Sequence, residues 1–180
     1  MSEHLIIPRQ LRGRIWVENE DGFRVEATNL VVYTGGDIIA QLLAGNGQYR
    51  ISHMYFGFEN DPAPTFAPPD RGDTVEFFST LVSPQDYLRA AIMQPTQIEA
   101  ADPNHEGNRV IFNAVASGTV GVNGLDFGAA FASHVGTLGL GAAPTGAVAG
   151  DVLYARVNLP TPLPAAGSGQ VSATWATEAD

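Results

Sequence analysis

Residues 34–58 read TGGDIIAQLLAGNGQYRISHMYFGF, and they place the clearest helix of the chain directly before a strand. Thr34 with Asp37 three residues later has the form of a capping box, and paired isoleucines and then paired leucines follow at helical spacing. Gly45 stands at the C′ position, where helices commonly end. The sequence therefore predicts one short α-helix over residues 36–44, followed by a strand rich in β-branched and aromatic residues.

Outside this helix the apolar residues recur at every second position. Residues 14–27 alternate on both sides of Asn-Glu-Asp-Gly, which predicts a hairpin whose turn uses Gly22. At least one of Trp16 and Trp175 is expected in the core. Several short strands with one helix predict a mainly β protein, an antiparallel β-sandwich with a jelly roll as one topology. Further candidate strands are 49–58, 75–82, 87–94, 109–117, 152–159 and 170–177, and the long gaps are 59–73, 118–150 and 160–169.

Charge divides the chain into a short basic segment and an acidic body. The formal net charge is −10, and all nine basic residues are arginines. The first sixteen residues contain three of these arginines and one glutamate, so this segment has a net charge of +2. We expect residues 1–12 to form an extended arm, because Pro8 disfavours helix before it, and residues 13–180 to form one β-rich domain. An acidic surface repels phosphates, so no nucleic-acid partner is expected. The arm is predicted to bind an acidic groove on a neighbouring subunit through Ile6, Ile7, Arg9, Arg12 and Arg14, the alternative being a strand with solvated arginines.

The segment 118–150 is almost uncharged, since Asp126 is its one charged residue. A loop of this length in a compact domain is usually functional or ordered by a partner. It would expose more apolar surface than soluble monomers tolerate, so a homo-oligomer is predicted in which Phe127 and Phe131 contact the partner. The alternative is an ordinary core strand with a surface loop.

No residue pattern points to catalysis or to a bound cofactor. The four histidines share no metal-ligand spacing, and His53 is expected to be a packed or interface residue. Asp70 and Asp73 are expected in a solvated turn. Residues 102–107 copy the first half of a calcium loop, but Asn113 stands where that loop needs a bidentate glutamate, so a hairpin turn is favoured. The sequence predicts a protein that is not an enzyme and that holds no cofactor or metal.

Length and composition indicate a single domain, and the absence of cysteine fits assembly in a reducing cytoplasm but equally fits chance. At 180 residues the chain can bury roughly 70% of its unfolded surface without disulfides, and it has no cysteine. It has no run of about 18 apolar residues and does not open with the pattern of a secretory signal. We therefore expect no membrane partner.

Two stretches, 28–75 and 151–177, resemble small virion proteins of tailed bacteriophages. The first contains NLVV, then TG before the Leu-rich helix, ISH in the next strand and DT at residues 73–74; the second contains LYARVNLPTP and VSATW. In that group the matching segments read NLVVNTGR, LLAG, ITHIAVGTG, LFARVVLPTPI and VTWT. This chain departs at Gly36, where arginine is usual, and at residues 57–59, where Gly-Thr-Gly is usual.

Members of this group are virion structural components, some on the capsid exterior and some at the tail or baseplate. The resemblance implies a virion structural protein, assembled in the host cytoplasm, whose partner is the major capsid protein or another virion protein. We expect a capsid decoration (cement) protein, and the trimer that such proteins resemble. The alternative is a tail, baseplate or fibre-adaptor protein with a carbohydrate- or receptor-binding role.

Overall fold

The computed structural model describes residues 12–59, 66–79, 87–94, 96–100, 108–117, 134–146, 150–165 and 170–179. Within them, ten strands form two antiparallel sheets of five strands each, which confirms the predicted mainly β sandwich. In chain order the elements are β1 (Arg12–Asn19), β2 (Arg24–Thr28), β3 (Leu30–Val31), α1 (Tyr33–Leu43), a 3-10 turn (Gly47–Tyr49), β4 (Ile51–Glu59), α2 (Glu76–Ser79), β5 (Tyr87–Ala91), β6 (Gln97–Glu99), β7 (Asn108–Ser117), β8 (His134–Ala142), β9 (Val152–Pro164) and β10 (Gln170–Ala179).

The two sheets differ in which parts of the chain they combine. Sheet A has the order β2-β1-β10-β7-β6, and sheet B has the order β3-β9-β8-β4-β5. Four sequence-adjacent pairs, β1–β2, β4–β5, β6–β7 and β8–β9, are neighbours, and the pairs β1–β10 and β3–β9 join the two ends of the described chain. The pairings β7–β10 and β4–β8 also join strands that are distant in the sequence, so sequence-adjacent strands supply half of the pairings among the described strands.

The core lies between the inner faces of the sheets. Trp175 is fully buried there, with Ile15 and Phe112 from the same sheet and Met54 and Leu138 from the other. Ile15 and Trp175 belong to strands of sheet A in which buried and more exposed positions mostly alternate, whereas Met54 and Leu138 lie in strands of sheet B that are buried on both faces. The predicted hairpin at 14–27 is confirmed, and Gly22 adopts the expected positive φ in its turn.

A second, smaller apolar cluster covers the outer face of sheet B. Phe78 of α2 packs there against Tyr55, with ring centroids 5.4 Å apart, and against Val32 and Leu153. The sheet leaves room for this ring because β8 has a glycine at 139, where a Cβ would lie 2.7 Å from Phe78. Sheet B is therefore buried on both faces in this region.

The predicted helix is confirmed, but its start is earlier than expected. Helix α1 begins at Tyr33, its N-cap is Val32, and no side chain caps it, so the capping-box interpretation of Thr34 was wrong. The Thr34 hydroxyl instead donates to the Leu153 carbonyl oxygen at 2.6 Å. Gly45 follows the helix with positive φ, as predicted, and its N–H bonds the Leu42 carbonyl.

Four assignments need correction. Residues 76–79, predicted as part of a strand, form the helical turn α2, because Phe77 and Phe78 pack over sheet B and do not pair with a strand. The gap 118–150 contains β8, whose glycines lie within a central buried strand. The gap 160–169 begins with the last five residues of β9. Arg12 opens β1 opposite Glu178, so it belongs to sheet A and not to the arm, while residues 1–11 lie outside the described residues.

Candidate functional site

A buried arginine ties the segment 66–79 to sheet B. Arg156 of β9 is 1% exposed, and its guanidinium bonds the Asp73 carboxylate and the Ala67 carbonyl oxygen, both at 2.7 Å. The Asn158 amide also donates to the Ala67 oxygen, and the guanidinium carbon lies 3.4 Å from the Phe77 ring centroid. Burial lowers the pKa of Arg156, and the hydrogen bond and charge of Asp73 oppose that shift. Asp73 is therefore a structural anchor, and not simply part of the solvated turn that we expected.

A second buried polar cluster joins β4, β5 and the start of β9. The side chain of Asp151 is fully buried. Its carboxylate accepts a hydrogen bond from the Tyr55 hydroxyl and forms an ion pair with Arg89, whose Nε lies 2.7 Å from the Asp151 Oδ2. Burial, followed by the hydrogen bond to Asp151, raises the pKa of Tyr55. The Arg89 guanidinium thus compensates the charge of the buried Asp151 carboxylate, to which the Tyr55 hydroxyl also donates.

His53 neighbours this cluster and contacts the adjacent serine side chain. Its Nδ1 lies 2.9 Å from the Ser52 hydroxyl oxygen, and that oxygen also accepts a bond from the Ala143 N–H. Burial, and then the charge of Arg89, lower the pKa of His53. The described residues contain no group of three His, Asp or Glu side chains able to hold a metal ion. The hexapeptide 102–107 lies outside them.

The predicted partner-binding residues divide between described and undescribed parts of the chain. Arg14 is exposed on the outer face of sheet A, opposite Thr28 and Ala176. Arg12 has its backbone in β1. Outside the described residues lie Ile6, Ile7, Arg9, Phe127 and Phe131.

The outer face of sheet A carries one indole among polar side chains. Trp16, Thr174 and Asn113 are cross-strand neighbours, so their side chains share this face, and the Thr174 hydroxyl donates to Asn113 at 2.8 Å. The Arg24 guanidinium lies 5.7 Å from the Trp16 ring centroid. A shallow groove of about 330 Å³ runs across these residues. An indole with amide and hydroxyl groups beside it is a surface that can stack on, and hydrogen-bond to, a polar ring such as a sugar.

A larger cavity, of about 630 Å³, lies where β2 and β3 pass alongside α1. We call it the α1 cavity. Val31 and Ile39 supply part of its apolar wall, Gly36 borders it on the helix, and Tyr33 is 70% exposed. None of the described residues that line it is acidic; they are Gly13, Thr28, Asn29, Leu30, Val31, Val32, Tyr33, Gly36, Ile39 and Arg71. The acidic groove predicted for the arm was expected on a neighbouring subunit, so that prediction remains open.

The residues that organise these features could hardly be identified from local sequence patterns. Arg156 and Asp151 lie beside apolar strand positions, and an arginine within such a strand is the one signal that could have marked the first as buried and paired. Asn29 lines the α1 cavity, and its buried side-chain nitrogen and oxygen have no hydrogen-bond partner. Nothing in its local sequence distinguishes it from a turn residue.

No protein family, curated protein or solved structure matches this chain. In the part of the chain that the structure describes, no helix is long and apolar enough to cross a membrane. Function must therefore be inferred from the arrangement of the residues themselves.

Proposed function

We propose that this chain is a structural protein of a tailed-bacteriophage virion, and specifically a capsid decoration (cement) protein. The observation that carries the proposal is that the two stretches resembling such proteins, 28–75 and 151–177, meet in the fold. Strand β3 from the first stretch pairs with β9 from the second, Leu30 opposite Arg156 and Val31 opposite Ala155.

The residues that carry the resemblance are the ones that make these contacts. The Val32 N–H donates to the Tyr154 carbonyl oxygen, and Gly35 comes so close to that oxygen that a Cβ would collide with it. Asp73 of the DT step pairs with Arg156 of the LYARV segment. Segments that must fit each other in space constrain each other's sequence, so a shared fold accounts for both matches at once.

The shape and charge of the molecule suit a protein that works by binding its neighbours. The described residues form one sandwich, and the chain has a net charge of −10 with three arginines among its first sixteen residues. A fibre protein usually adds a coiled coil or a repetitive shaft, and the sequence has neither. Modest contacts repeated over a shell can stabilise it strongly through multivalency.

Purified particles provide the test. A decoration protein should be present in hundreds of copies, whereas a tail or baseplate protein should be present in a handful, and quantitative mass spectrometry against the major capsid protein separates the two. Particles stripped of the protein should lose resistance to heat or pressure and recover it when the protein is added back. Stripped particles that remain equally robust but fail to attach to cells would refute the decoration role.

A second candidate role, glycan binding in a tail or baseplate adaptor, is favoured by the Trp16 groove. A glycan array with the wild-type protein and with Trp16→Ala tests it directly, because only the indole can stack on a sugar ring there. Arg24→Ala is the matched control, since it uncovers the indole face. Binding that is lost in the first variant and kept or strengthened in the second would support this role.

A further inference from the structure

The α1 cavity lies at the point where the chain enters the sandwich. Gly13 of β1 forms part of its lining, and β1 begins one residue earlier at Arg12. Its volume of about 630 Å³ falls within the range of protein ligand sites, roughly 300–1,000 Å³. Any segment that precedes Arg12 is therefore tethered beside an open, partly apolar cavity.

The side-chain amide of Asn29 forms the wall of the cavity next to β1. It packs directly on Gly13, leaving no room for a Cβ, and its nitrogen and oxygen are both buried without a hydrogen-bond partner among the described residues. Because these polar atoms are covered, the face that the cavity offers to a ligand is mainly apolar, with Val31 and Ile39 in its wall. An uncharged, apolar peptide segment suits such a face.

The arm contains a segment of the matching chemistry within reach. Leu5, Ile6, Ile7 and Pro8 are uncharged and apolar, and Pro8 favours an extended backbone at the residue before it. Residues 9–11 can span roughly 10 Å when extended, which is enough to turn back from Arg12 to a cavity that Gly13 lines. The short tether makes the local concentration of the segment high, on the order of millimolar.

We propose that in the free protein residues 5–8 occupy the α1 cavity of their own chain as an extended segment packed against its apolar wall. Gly36 leaves open space on the helix side of the cavity, because a Cβ there would meet no atom within 4 Å. Its φ is not positive, so other residues can adopt the same backbone conformation. A larger side chain at this position would project over the cavity and compete with the arm. The proposal does not depend on the virion role, and it is tested on the purified protein alone.

Disulfide trapping tests the docking, because the chain has no cysteine of its own. Ile6→Cys with Ile39→Cys should form an intramolecular disulfide at least about tenfold faster than Ile6→Cys with Ile98→Cys, since Ile98 lies on β6 at the opposite edge of sheet A from β2. Adding Gly36→Arg to the first pair should slow the reaction about tenfold, and adding Gly36→Ala should not. Mass spectrometry and non-reducing gels identify the products.

Each other outcome overturns the proposal. Equal rates for the two cysteine pairs would mean that the arm moves without docking, and a disulfide found only in dimers would assign the cavity to the arm of another copy. Hydrogen exchange on the wild-type protein gives an independent result that needs no variant to fold. The amides of residues 5–7 should exchange at least about tenfold more slowly than in a free peptide, and exchange at the free-peptide rate would refute docking.

Discussion

Replacing Asp73 with alanine removes the carboxylate that pairs with the buried Arg156. Breaking a buried ion pair by removing one partner costs about 3–5 kcal/mol, because the remaining charge is left without compensation. The Asp73 side chain is 17% exposed, and the Ala67 carbonyl and Asn158 still accept bonds from the guanidinium. Water and these acceptors offset part of the loss, so we expect a cost at the lower end, about 3 kcal/mol, or roughly a hundredfold in the equilibrium.

Two assays separate local opening of the 66–79 segment from global unfolding. Denaturant titration followed by the fluorescence of the buried Trp175 reports the whole sandwich. Trypsin reports the segment, because the chain has no lysine and the exposed Arg71 lies within it. If the segment opens by itself, cleavage after Arg71 should accelerate by up to about a hundredfold in Asp73→Ala while the Trp175 transition moves little.

The matched control is the ion pair between Arg109 and Glu99, whose side chains are 26% and 42% exposed. Glu99→Ala should cost no more than about 1 kcal/mol, as for other solvent-screened pairs. Adding Arg156→Met to Asp73→Ala should recover much of the lost stability, because the unpaired charge is then gone. If Asp73→Ala behaved like Glu99→Ala in both assays, Arg156 would not anchor the segment.

Three further predictions concern other parts of the molecule. Gly141→Ala should destabilise by about 1–3 kcal/mol, because its Cβ would lie 2.5 Å from a backbone oxygen, whereas Gly36→Ala, with open space around it, should stabilise by up to about 1 kcal/mol; equal shifts in denaturant titrations would contradict this. Since the pKa of His53 is lowered in the folded state, the unfolded state takes up the proton first, and stability present above about pH 6.5 is lost as the pH falls. The unfolding free energy of His53→Gln should therefore fall less than that of the wild type between about pH 7 and pH 5. If it falls by the same amount in both proteins, His53 does not cause the pH dependence. Phe131→Asp should dissociate a homo-oligomer without changing the far-UV circular dichroism, and a variant that stays oligomeric by light scattering would exclude the 118–150 segment from the interface.

The α1 cavity and the Trp16 groove give the molecule two separate surfaces with different chemistry. The cavity is partly apolar and lies beside the start of β1, while the groove is polar and lies on the outer face of sheet A. A protein that binds a partner through an apolar segment can still present a polar surface on the outer face of its other sheet. The glycan array and the disulfide experiment therefore test independent properties.

The elements that the sequence predicted well are those set by local pattern. The hairpin at 14–27 follows from alternation on both sides of a glycine turn, and the end of α1 at Gly45 follows from a residue that tolerates positive φ. The errors lie where tertiary contacts override that pattern. Phe77 and Phe78 have the propensity of a strand but form a helical turn over sheet B, and Thr34 resembles a cap but bonds a strand carbonyl from within the helix.

Strand β8 was not predicted from the sequence, for a related reason. Its glycines at 136, 139 and 141 suggested a loop, because glycine is unfavourable in isolated strands. In the fold these positions are buried, and at 139 and 141 any side chain would collide with Phe78 or with the β9 backbone. Only the neighbouring layer makes glycine the fitting residue, and that layer is distant in sequence.

The sequence by itself determined the fold class, the position of the helix and the placement of charge, since these depend on periodicity, turn chemistry and composition within a few residues. The tertiary structure alone decided the strand order, the pairing of Arg156 with Asp73, and the cavity that Asn29 and Gly36 line. Those features join residues tens of positions apart, and their energies come from burial, which no local pattern specifies.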